Sequence, residues 1–62
     1  MNRLQIVVRL NKTDYSAVSS APALKNAVIE CMAELQQLIF NTIGEMPDRA
    51  TLCKHMRRFE KL

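Results

Sequence analysis

Residues 3–12, RLQIVVRLNK, alternate between apolar and polar side chains with one break. Leu4, Ile6, Val8 and Leu10 fall on one side of an extended chain, and Arg3, Gln5, Val7 and Arg9 on the other. A period of two with Ile and Val predicts a β-strand over about 3–10. A lone strand leaves backbone donors and acceptors without partners, so it needs a neighbour. NKTD (11–14) offers a hairpin turn into a second strand within YSAVSS. That segment is poor in β-forming residues, which favours pairing of the first strand with its own copy in a dimer.

SSAP (19–22) breaks the pattern. Ser19 or Ser20 can cap a helix, and Pro22 suits its first turn, where a missing N–H costs nothing. A long helix is predicted over about 21–43, closed by Gly44, which tolerates the left-handed cap geometry. Leu24, Val28, Cys31, Leu35 and Leu38 recur at steps of 4, 3, 4 and 3, a heptad seam that ends on Thr42. This seam is expected to form a dimer contact or the core. Ile29, Met32, Ile39 and Ile43 form a second stripe, with Phe40 at its margin, expected to bind a protein partner. The apolar arc, interrupted by Lys25 and Gln36, exceeds half the circumference. One core needs only a stripe of about 100°. The helix therefore carries apolar surface for two neighbours.

EMPD (45–48) reads as a turn, with Asp48 as N-cap of a last helix over about 49–61. Leu52, Met56, Phe59 and Leu62 make its narrow apolar line, and Lys54, Arg57, Arg58 and Lys61 its opposite side. The expected fold is α+β but mostly α: one N-terminal strand, a long helix and a short C-terminal helix, in a single domain over 1–62. An intertwined dimer is the expected assembly.

Size supports association. A chain near 60 residues buries only about 60% of its unfolded surface. With no Trp, one Tyr and two Phe, the core of this 62-residue chain must be aliphatic. No apolar run approaches the roughly 20 residues of a membrane span, and the early charges Arg3, Arg9, Lys12 and Asp14 leave no apolar core for a signal peptide. A cytoplasmic protein with reduced Cys31 and Cys53 is expected.

Charge adds one asymmetry. The net charge is +3, and positive and negative side chains cancel over residues 1–47, so the whole excess lies in 48–62. This hints at an anionic partner, although a basic helix end also complements the helix dipole without a ligand.

Catalytic chemistry is not expected. His55 is the only histidine, and a single Cys two residues away does not complete a tetrahedral metal site. Arg49 and Arg57 flank Cys53 at one turn each, a setting that favours a reactive thiol, but no base accompanies it. One glycine excludes a Gly-rich phosphate loop. No cofactor and no small-molecule substrate are expected. Two functions remain. The first is a small non-catalytic regulatory protein, dimeric, acting as an inhibitor, adaptor or subunit by protein–protein binding. The second is a DNA-binding dimer in which Arg3, Gln5 and Arg9 on a paired N-terminal ribbon read base edges, while Lys54, Arg57, Arg58 and Lys61 contact phosphates. In outline that plan resembles the ribbon-helix-helix proteins. It differs in helix lengths and in the roughly eleven residues between strand and long helix.

Overall fold

The computed structural model describes residues 3–62. These residues form strands β1 (Leu4–Leu10) and β2 (Thr13–Ser19), helix α1 (Leu24–Ile43), helix α2 (Arg49–Lys54) and strand β3 (Met56–Lys61). The strands make one antiparallel sheet in the order β2-β1-β3. The described residues are about 43% helical and 33% strand, so the expectation of a mostly α fold is corrected.

β1 alternates as its sequence predicts. Leu4, Ile6 and Val8 are buried, and Gln5, Val7 and Arg9 lie on the other face; Arg3 precedes the strand and is exposed. Its neighbours differ from expectation. β1 is the central strand, with β2 on one side and β3 on the other, so both its edges are hydrogen-bonded within the chain. Pairing of this strand with a second copy, and the intertwined dimer built on it, are thereby removed.

The hairpin from β1 to β2 turns on Asn11 and Lys12, with φ of 50° and 64°, between the paired residues Leu10 and Thr13. Positive φ at both central positions is the geometry whose twist matches the flanking strands. β2 turns Tyr15, Ala17 and Ser19 inward. Tyr15 and Ala17 join the core. Buried Ser19 is satisfied: its hydroxyl donates to Glu30 Oε1 at 3.1 Å and accepts the Ala21 N–H at 3.2 Å. The inward set contains a small residue and a hydroxyl, which hid the strand from a hydrophobic reading.

Pro22 lies ahead of α1 rather than in its first turn, and Ala23 occupies the N-cap without a side-chain bond. Gly44 ends α1 as predicted, with φ of 78° and its N–H donating to the Phe40 carbonyl at 2.8 Å. Asp48 caps α2 as predicted, accepting the Thr51 N–H at 2.8 Å. The last helix then stops at Lys54, and residues 56–61 are strand rather than helix. Tertiary pairing outweighs local periodicity here: β1 sits over the core, and its second edge needs backbone partners that β3 supplies. The helical spacing of Met56 and Phe59 also has a strand explanation. Val8 pairs with Met56 and Ile6 with Phe59, because an irregularity between Val7 and Val8 inserts one extra residue on β3. Two residues three apart thus share a sheet face.

α1 lies across β1 and β2 and makes few contacts with β3. The core is Leu4, Ile6, Val8, Tyr15 and Ala17 from the sheet, Ala27, Cys31, Met32, Leu35 and Ile39 from α1, and Leu52 from α2. Among the described residues, the other sheet face carries no helix.

Candidate protein-binding surface

The site begins with the roll of α1. The helix turns toward the sheet a line between its two predicted stripes, so each stripe is divided. From the predicted seam, Cys31 and Leu35 are fully buried and Val28 is half-buried, but Leu24 and Leu38 are exposed. From the predicted partner surface, Met32 and Ile39 are core residues and are corrected from that role. Ile29, Phe40 and Ile43 keep 40%, 44% and 42% of their surface exposed.

These three lie on one line along the helix. Ile29, Ala33, Gln36, Phe40 and Ile43 follow at steps of 4, 3, 4 and 3, which places them one above another on a helix. Gln36 interrupts the apolar character but holds the surface in shape. Its Nε2 donates to the Pro47 carbonyl at 3.0 Å and ties the α1–α2 connection to the helix. Exposed Met46 lies in that connection. A groove of about 370 Å³ borders the same end, lined by Leu10, Ile39, Ile43, Met46 and Pro47 with polar Asn11, Glu45 and Thr51. The apolar line therefore continues from the helix into a recess. Met46 escaped the sequence reading because it lies outside any periodic element.

The predicted basic residues do not share a face. Gln5 and Arg9 lie on the open face of the sheet, and Arg58 joins them because it pairs with Val7, whereas Arg3 precedes β1 and borders the recess beside Leu24 and Leu62. Lys61 pairs with Leu4 and belongs to the helix side, Arg57 sits at the register irregularity, and Lys54 ends α2. On the open face, Arg9 lies 3.9 Å from Asp14, and Arg58 lies 3.8 Å from Glu60, both pairs solvent-exposed. Gln5 donates from Nε2 to Ser16 Oγ at 3.1 Å. Two of these arginines thus already face carboxylates.

The nucleophile candidates separate cleanly. Cys31 is buried with its thiol 3.6 Å from the Leu4 carbonyl and 3.7 Å from that of Ala17. Burial pushes this thiol up from its ordinary range, and Glu34 and Glu30 push it further. Cys53 is exposed. His55 is half-buried, and its backbone carbonyl accepts the Arg9 N–H at 3.0 Å. Among the described residues, no three His, Cys, Asp or Glu side chains are grouped to hold a metal ion. No helix among them is long and apolar enough to cross a membrane.

Comparison with protein families, with characterised proteins and with solved structures finds no match to this chain. Its function has to be argued from the surface itself.

Proposed function

We propose that this chain is a small, non-catalytic, cytoplasmic regulatory protein that acts by binding another protein, as an inhibitor, adaptor or subunit. The observation that carries the reading is the uncovered apolar line Ile29, Phe40 and Ile43 on α1, extended by Met46. A helix packed on a sheet gains nothing from large apolar groups on its far side, and grouped exposed apolar residues mark interaction surfaces. The aromatic Phe40, flanked by branched aliphatic residues, is suited to anchor such an interface.

The competing reading is nucleic-acid binding. Its ribbon form calls for β1 to pair with a second copy, whereas both edges of β1 are hydrogen-bonded within the chain. Arg9 and Arg58 would also have to exchange Asp14 and Glu60 for phosphates.

Affinity capture from the native host, with and without nuclease, separates the two. A nuclease-resistant protein partner held by the native chain and by Arg3→Ala, but lost with Phe40→Asp, is the expected result. Co-purifying nucleic acid that is lost with Arg3→Ala would overturn the proposal.

A further inference from the structure

Among the described residues β3 is an edge strand, and the side turned away from β1 has a definite hydrogen-bonding phase. The Leu62 N–H donates to the Arg3 carbonyl at 2.7 Å, and Leu4 pairs with Lys61. Backbone groups alternate sides along a strand. Leu62, Glu60 and Arg58 therefore turn their amides and carbonyls toward β1, whereas Phe59 and Lys61 present theirs to the open edge. Any chain added to this edge must meet Phe59 and Lys61.

We propose that the edge pairs with β3 of a second copy, antiparallel about a two-fold axis at Phe59. In this register Phe59 lies opposite the partner subunit's Phe59 and exchanges both backbone hydrogen bonds with it. Arg58 lies opposite the partner subunit's Glu60, and Glu60 opposite the partner subunit's Arg58. Both unlike pairs fall on the open face of the six-stranded sheet so formed.

Charge selects this register. The phase of the free amides allows shifts only in steps of two residues. The neighbouring registers set Arg58 against Arg58 or Glu60 against Glu60, and like charges directly opposite are unfavourable. The Phe59-centred register sets unlike charges together at the middle of the seam. The same register also sets Arg57 against the partner subunit's Lys61 at either end of the seam, a like-charge cost that salt screens.

The apolar surplus agrees. Phe59 shares the helix side of the sheet with Ile6 yet is 46% exposed, because α1 does not reach over β3. Leu62, at the end of the same strand, is also exposed, beside Leu24 at a recess of about 160 Å³. The second copy covers Phe59 with Phe59. This side-by-side dimer leaves β1 central in each subunit, and it is separate from the α1 surface assigned to a protein partner.

Charge reversal in the purified chain tests the register. Sedimentation equilibrium at micromolar concentration is expected to give twice the 7.1 kDa chain mass. Arg58→Glu and Glu60→Arg should each weaken the dimer at least tenfold, because each places like charges opposite one another twice. Mixing the two single variants should restore association as a heterodimer, and so should combining both changes in one chain. Both side chains are about half exposed or more, at 61% and 49%, so folding should survive, and far-UV circular dichroism checks this. Phe40→Asp should leave the dimer intact, which keeps this result apart from the partner-binding test. A monomeric native chain overturns the proposal. So do single variants that dimerise as well as the native chain, a mixture that stays monomeric, or open-ended growth from head-to-tail pairing of β3 with β2.

Discussion

Ile6 and Phe59 stand opposite one another on β1 and β3 and point to the same side of the sheet, yet Ile6 has no exposed surface and Phe59 keeps 46%. The boundary of the helix layer runs between them. Ile6→Ala should therefore destabilise the fold by about 2–5 kcal/mol. Phe59→Ala should change subunit stability by only about 1 kcal/mol when measured in the Arg58→Glu background, where the seam is open. Urea denaturation of both variants checks the difference. Equal losses would place Phe59 in the subunit core.

Leu35 is fully buried at the middle of α1. Leu35→Asp should abolish cooperative folding, because an unpaired charge would be carried into an apolar core. The same change at Leu38, also in the predicted seam but exposed, should leave a folded chain. Thermal melts followed by circular dichroism distinguish the two positions, and two unfolded variants would show the roll of α1 to be misplaced.

Cys31 and Cys53 should differ in reactivity. In the native state Cys53 should alkylate rapidly, while Cys31 should wait for unfolding, since burial both blocks access and disfavours its thiolate. Timed labelling with iodoacetamide and mass spectrometry reads the order. Fast labelling of both would contradict the packing of α1 on β1 and β2.

The turn at Asn11 and Lys12 offers a stabilising change. Both residues hold positive φ, a region unfavourable for side chains with a Cβ. Lys12→Gly should stabilise the hairpin by about 1 kcal/mol. For a domain of this size that corresponds to a rise in Tm of roughly 4–8 °C. A lowered Tm would mean that the turn is of another type.

Asp48 supplies a pH-dependent cap. Its carboxylate is held below the usual range by the Thr51 backbone N–H, with a further contribution from the Thr51 hydroxyl. Because the folded value is lowered, the stabilisation of α2 is present above the ordinary carboxylate range and is lost as pH falls through the lowered value. The Thr51 amide resonance should follow that titration with a midpoint below the ordinary range. Asp48→Asn, which caps without ionising, should abolish the dependence. A midpoint at the ordinary carboxylate value would remove the cap from α2.

Local features were legible in the sequence where one residue type meets one backbone demand. The alternation of β1 marked its buried face correctly. Gly44 marked the end of α1 and Asp48 the start of α2, because few other residues suit those cap positions. The excess of apolar surface on α1 was also legible, since its arc is wider than one sheet face can cover. Which residues made up that excess was not. Met32 and Ile39 became core, and Leu24 and Leu38 stayed out, because the roll of a helix is set by the sheet beneath it and not by its own periodicity.

The C-terminal segment was decided entirely by tertiary structure. Met56 and Phe59 carry helical spacing, and the basic residues around them suit a helix end. Only the unfilled edge of β1 calls for a strand there, and only the extra residue on β3 brings both side chains to one face. β2 was hidden for the opposite reason: Ala17 and Ser19 are small enough to fit beneath α1, so its inward face shows little hydrophobic signal. The sequence by itself determined the first strand and its buried face, the long helix and the caps at Gly44 and Asp48, which depend on neighbours within a few residues. The tertiary structure decided strand pairing, helix roll and the exposed apolar line, which depend on backbone groups and surfaces brought together from distant parts of the chain.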